Sequence, residues 1–115
     1  MKRSNYIFLS DILKSIRYIE RFTVGFDLDH FLKSEMEQFA VVRNLEIIGE
    51  AAHAINEEFK ESHSHIPWRS IQAFRNILVH EYFDVDMEAV WNVIIKDLPQ
   101  LKSAVKEAIL DEKFP

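Results

Sequence analysis

Residues 5–22, NYIFLSDILKSIRYIERF, decide how this chain folds. Phe8, Leu9, Ile12, Leu13, Ile16 and Ile19 recur there at steps of three and four. That period gathers the large apolar side chains on one stripe of an α-helix; on a strand they would be scattered over both faces. The pattern returns further along. In residues 34–60 the stripe is Leu45, Ile48, Ala52, Ile55 and Phe59. In residues 68–80 it is Ile71, Phe74, Ile77 and Leu78, and in 87–98 it is Val90, Trp91, Ile94 and Leu98. Pro99 should kink or restart the last helix, and Leu101, Val105, Ala108 and Ile109 carry the apolar face onward.

The junctions agree with this reading. Gly25, Asp27 and Asp29 mark a break after the first helix. Ser34 and Glu37 have capping-box spacing, in which hydroxyl and carboxylate each satisfy an orphan amide of the first turn. Pro67 suits the opening turn of the third helix, and Asp84 and Asp86 are candidate caps for the fourth. Only two glycines and three prolines occur in 115 residues, too few for the many tight turns of a sheet protein. The expectation is all-α: an up-and-down bundle of four main helices with a C-terminal helical extension, one domain over residues 1–115. With aromatics at 12%, the segments carry more large apolar residues than one four-helix core hides. An exposed apolar surface follows, and a symmetric homodimer is its simplest cover.

Composition narrows the function. The absence of cysteine excludes disulfides and thiolate metal sites. No basic-then-apolar leader opens the chain, and no apolar run approaches the ~20 residues of a membrane span, so a cytoplasmic location is expected. A net charge of −5 counts against a nucleic-acid surface, but the charge is unevenly placed. Residues 1–24 hold Lys2, Arg3, Lys14, Arg17 and Arg21 against Asp11 and Glu20, a local +3, and the remainder carries −8.

The stretch richest in chemistry is Arg75-Asn76-Ile77-Leu78-Val79-His80-Glu81-Tyr82. It places a permanent cation, a carboxamide, an imidazole and a phenol at the end of one amphipathic helix. Asn76 and His80 share a face, whereas Arg75 and His80 point roughly 140° apart on a straight helix. One copy does not converge on a single atom; two copies across a dimer axis would bring both pairs into one cleft. A neutral imidazole, titrating near ~6.5, can take the proton of a ribose 2′-hydroxyl. A guanidinium can hold the phosphate and offset its developing charge. Because the attack is intramolecular, no metal or other cofactor is needed, and the products are a 2′,3′-cyclic phosphate and a 5′-hydroxyl.

This stretch resembles the Arg-x4-His-x-Tyr signature of the HepT-like toxins, within the HEPN superfamily of helical ribonucleases. Two further blocks are similar to the family: residues 43–52, RNLEIIGEAA, and Ile66-Pro67-Trp68-Arg69, with Val85-Asp86 and Asp97-Leu98-Pro99 closing the pattern. The resemblance implies a metal-independent endoribonuclease, the toxin of a type II toxin–antitoxin pair, with its site at the homodimer interface. It implies that Arg75 binds and polarises phosphate, that His80 transfers the proton, and that Asn76 is the polar position after the arginine. It also implies a partner, a minimal nucleotidyltransferase antitoxin of the MNT type, which modifies Tyr82 with AMP. A bulky anion there would fill the cleft and repel RNA.

Competing readings stand beside these. Arg75 and His80 could be surface residues of an ordinary helix, with His80 favoured by the dipole at its C-terminus. Tyr82 could be a half-buried packing residue. The alternative function is a non-catalytic helical partner that docks and positions a nucleotidyltransferase. Glu46 and Glu50 have the spacing of a carboxylate pair, but no second helix offers the Glu-x-x-His that a di-metal bundle needs, and Arg43 is placed to bridge them. His63 and His65 read as solvated loop residues, and two imidazoles make a weak metal site. Gly49, costly in mid-helix, predicts close helix packing.

Overall fold

The computed structural model describes the backbone of residues 4–80 and 85–113, and the side chains of 4–75 and 85–111. Its helices are α1 (Asn5–Thr23), α2 (Leu28–Leu32), α3 (Glu35–Ala54), α4 (Glu57–Ser62), α5 (Trp68–His80), α6 (Met87–Asn92) and α7 (Leu98–Lys113). A π-helical turn, Val93–Asp97, joins α6 to α7 in one continuous rod. Four rods therefore make the bundle: α1, α3, α5 and α6–α7. α3 packs on α1 along one side and on α5 along another, and α7 lies along α1. The backbone amide of Asn56 donates to Asn5 Oδ1 at 3.3 Å, which ties the end of α3 to the start of α1. Lys102 of α7 reaches Glu20 near the end of α1. Neighbours thus run in opposite senses, as expected of an up-and-down bundle.

The stripe of α1 is the centre of the core: Leu9, Ile12, Ile16 and Ile19 are all 0% exposed. They meet Val41, Leu45, Ile48 and Ala52 of α3 and Leu98, Leu101, Val105 and Ala108 of α7 in one buried cluster. Each of the Val, Leu and Ile side chains among them contributes about 1.5–3 kcal/mol relative to exposure. Several large apolar groups sit at its edge or outside it. Leu32, Phe39, Val85 and Met87 line one shallow hollow, and Met36 stands exposed on the same face of α3. Among the described residues no helix is long and apolar enough to cross a membrane.

Three local expectations need correcting, each for a physical reason. The segment after Gly25, read as a plain break, winds into α2. Gly25 takes φ +78, which glycine tolerates, and Asp27 then caps a new turn by accepting from the His30 amide at 2.8 Å. The Ser34–Glu37 capping box does not form: Ser34 Oγ donates backward to the His30 carbonyl at 2.7 Å. The helix expected over 34–60 divides at Ile55-Asn56. Asn56 leaves helical geometry and accepts from the Phe59 amide at 2.8 Å, a cap that starts α4. Pro99, by contrast, stands where the α-helix restarts, as expected, α7 beginning at Leu98 after the π-helical turn. Its ring would strike the carbonyl of Ile95, and the wide turn just before it, where the Leu98 amide donates to Val93, makes room.

Other junctions follow the sequence. α5 begins directly after Pro67, with the Trp68 indole donating to the His63 carbonyl at 3.1 Å. Asp86 caps α6 by accepting from the amides of Glu88 and Ala89. Asp84 lies outside the described residues.

Candidate functional site

α5 carries the expected catalytic residues, and its position is set by contact with α3 at Gly49. A Cβ built on Gly49 would lie 2.9 Å from the Arg75 backbone nitrogen, 3.1 Å from Arg75 Cβ and 3.2 Å from the Ile71 carbonyl. The first is closer than real Cβ atoms come and the other two are tighter than most, so the two backbones touch here because the α3 residue has no side chain. The close packing expected of Gly49 is therefore present, and the helix it holds is the one that bears Arg75. Ile71, one turn earlier, is 3% exposed and anchors the same face of α5 in the core.

Arg75 itself is exposed, and among the described residues its guanidinium has no carboxylate partner. A full positive charge is thus held outward from a fixed backbone. The helix continues through Asn76 and His80, so helical geometry sets His80 roughly 7.5 Å further along the axis than Arg75. The side chains of Asn76 and His80, and Tyr82 altogether, lie outside the described residues. Their convergence with Arg75 is taken up below as a proposal.

The carboxylates of α3 are used differently. Arg43 Nη1 lies 3.3 Å from Glu46 and 3.8 Å from Glu50, so the strip is bridged by a cation, as expected. Among the described residues no group of three His, Cys, Asp or Glu side chains could hold a metal ion. His63 departs from its reading as a solvated loop residue. Its ring stacks on Phe59 at a centroid distance of 4.1 Å, and Nε2 sits 3.3 Å from Asp111 Oδ2 on α7. Its Nδ1 lies 3.1 Å from both Ser62 Oγ and the Phe59 carbonyl. His63 is a packing residue that ties the α4–α5 loop to α7. His65 is exposed.

One feature was not legible beforehand. A cleft of about 350 Å³ opens between α5 and α7, lined by His65, Ser70, Phe74, Asp97, Gln100 and Leu101 among others. It occupies the flank of α5 next to the one facing Gly49, with Asp97 supplied by the π-helical turn. Neither helix alone signals it, because it exists only through their pairing.

Comparison with known proteins agrees with the residue blocks. A "Probable ribonuclease HepT" of Thermococcus cleftensis is 45% identical over 102 residues, covering 89% of this chain and 93% of that protein. A provisionally designated RNase of Methanocaldococcus jannaschii is 40% identical over 105 residues, covering 91% and 96%. Another from Caldanaerobacter subterraneus is 39% identical over 106 residues, covering 92% and 95%. No solved structure matches the chain. The family model for HepT-like ribonucleases matches residues 12–108, from the buried stripe of α1 through the Gly49–Arg75 contact to the last core turn of α7. The helical bundle, the Arg75-bearing helix and this match together establish that the chain belongs to the HepT-like ribonuclease family.

Proposed function

We propose that the protein is the toxin of a type II toxin–antitoxin pair, a metal-independent endoribonuclease whose site is completed across a homodimer interface. The observation that carries this reading is Arg75: exposed, without a carboxylate partner among the described residues, and fixed by backbone contact at Gly49. Such a cation invites an anionic ligand, and the family supplies RNA as its class.

The chemistry is transesterification followed by release. His80 takes the proton from a ribose 2′-hydroxyl, whose oxygen attacks the adjacent phosphorus. The P–O5′ bond breaks, and the departing oxygen receives a proton from the imidazolium of the second chain. Arg75 from each protomer holds the non-bridging oxygens as charge accumulates on them. Asn76, beside Arg75 in sequence, orients the phosphate by donating a hydrogen bond. The roughly 140° between Arg75 and His80 on one helix favours a site shared by two copies. The exposed apolar group of Leu32, Met36 and Phe39 supports a partner surface for such a dimer.

Regulation follows the resemblance. A minimal nucleotidyltransferase antitoxin attaches AMP to Tyr82, two residues after His80, and the added phosphate repels the RNA backbone. Both partners and the RNA meet in the cytoplasm.

The test is cleavage of total cellular RNA by the purified protein in excess EDTA, beside His80→Ala. Wild type should cut and leave cyclic-phosphate ends; the variant should not, while remaining a folded dimer. An unmodified wild-type dimer of correct mass that leaves RNA intact rejects the catalytic reading in favour of a docking partner for the nucleotidyltransferase.

A further inference from the structure

Among the described residues of this acidic chain a strongly cationic ridge lies on α1, diagonally across the bundle from α5. Lys14, Arg17, Tyr18 and Arg21 recur at steps of three and four on the side of α1 opposite Ile12, Ile16 and Ile19. The three cations are exposed. Lys14 Nζ sits 5.9 Å and Arg21 Cζ 5.6 Å from the centroid of the Tyr18 ring, and Arg17 has no ion pair among the described residues. From α7, Lys106 is exposed one turn beyond Lys102, on the side of α7 that faces α1.

Among the described residues, two exposed cations elsewhere are matched with carboxylates, Lys33 with Asp29 and Arg43 with Glu46, while Arg69, Arg75 and Lys96 stand singly and apart along the sequence. On the α1 ridge three cations stand together, and two of them, Lys14 and Arg21, lie over the Tyr18 ring, which holds a cation without cancelling its charge. The carboxylate at the edge of the ridge, Glu20, is occupied through both oxygens by Lys102, at 3.0 and 3.1 Å. Asp11 is turned toward the hollow it shares with Ile47 and Glu50 of α3. The charge of the ridge is therefore left for a ligand outside the chain.

We infer that this ridge is a docking track for the phosphate backbone of single-stranded RNA, separate from the cleavage centre. Lys14 to Arg21 spans roughly 10 Å of helix axis, the scale of two to three nucleotides. An overall acidic protein gains from such a track, because its net field repels RNA and binding must be concentrated where cations outnumber acids. The identity of the anion as RNA rests on the ribonuclease reading above.

The experiment is fluorescence anisotropy of a labelled single-stranded RNA oligonucleotide across a salt series. It uses full-length protein carrying His80→Ala, which keeps the RNA intact. Adding Lys14→Gln, Arg17→Gln and Arg21→Gln should weaken binding about ten- to hundredfold at low salt. The slope of log affinity against log salt should fall by about 2, from three phosphate contacts at ~0.7 each. Lys14→Arg with Arg17→Lys and Arg21→Lys should retain the slope, which separates lost charge from lost folding. Lys33→Gln with Lys96→Gln should also retain it. Unchanged affinity and slope in the triple Gln variant overturn the track, and so does an equal loss in the Lys33/Lys96 control. RNA cleavage by the wild type tells the two failures apart: cleavage with an indifferent ridge rejects only the track, and neither cleavage nor binding rejects both. A triple variant that binds RNA normally but no longer associates with the nucleotidyltransferase makes the ridge a protein contact and rejects the RNA assignment.

Discussion

Two exposed arginines, Arg43 on α3 and Arg75 on α5, stand on neighbouring helices in opposite surroundings. Arg43 on α3 lies between two carboxylates, 3.3 Å from Glu46 and 3.8 Å from Glu50. Arg75 on α5 has no such partner among the described residues, and its backbone is pressed against Gly49. A guanidinium that is already neutralised costs a phosphate ligand the breaking of its pairs. One that is fixed and unpaired offers its full charge to an anion. Residue type and exposure do not separate the two; the neighbouring acids and the rigidity of the backbone do.

The sharpest way to break this contrast is to exchange the roles. Arg75→Ala should lower RNA cleavage by about 10²–10³-fold, the effect of deleting one donor that stabilises transition-state charge. Arg43→Ala should leave cleavage within about fivefold. Initial rates on the same RNA, with both variants shown to be folded by circular dichroism, decide the matter. Equal losses at the two positions would mean that the pairing of Arg43 does not distinguish it, and the contrast would fall.

Next in size is the contact that fixes Arg75. Gly49→Ala gains about 1 kcal/mol of helix propensity but places a methyl 2.9 Å from the Arg75 nitrogen and 3.2 Å from the Ile71 carbonyl. Backbone atoms cannot swing aside, so α5 must shift, at about 1–3 kcal/mol of overpacking. Denaturant titration should show a net loss of about 0–2 kcal/mol, and Gly49→Val a larger one. Cleavage should fall by more than stability explains under conditions where the protein remains folded, because a displacement near ~1 Å can cost ~10²-fold. A stabilised, fully active Gly49→Ala would show that the helices part freely and that Arg75 needs no fixed seat.

How much of this was readable beforehand depends on whether one signal or several had to be weighed. α1 and the start of α5 were legible almost to the residue, because the apolar stripe ends just before Gly25 in one case and begins just after Pro67 in the other. α3 and α4 were read as one helix, since Ile55 and Phe59 continue the stripe across the break while Asn56 between them caps a new turn. The Asn56-Glu57-Glu58 signature was present in the sequence, and periodicity outweighed it. The Ser34 box failed for the converse reason: the spacing was right, but the unforeseen α2 left a carbonyl at His30 that took the hydroxyl. At the site, an exposed Arg75 and the small residue that α5 packs against were both legible. The α5–α7 cleft was not, because its walls come from helices distant in sequence and from a π-helical turn no local pattern announced.

The smallest expected effect lies at Arg43 itself and sharpens the contrast most finely. Exposed pairs of this kind are worth about 0–1 kcal/mol, and Arg43 is 61% exposed, so Arg43→Gln should lower stability by no more than that. Its consequence for RNA is electrostatic. Glu46 and Glu50 flank Gly49 on α3, and losing their cation leaves two uncompensated negative charges close to the helix that carries Arg75. With a Debye length of ~10 Å near 0.1 M salt, phosphate should sense them. KM should therefore rise about two- to fivefold at low ionic strength with kcat unchanged, and the difference should fade as salt is raised. A fall in kcat that salt does not relieve would instead make Arg43 part of the catalytic geometry, and the two arginines would then differ in degree and not in kind.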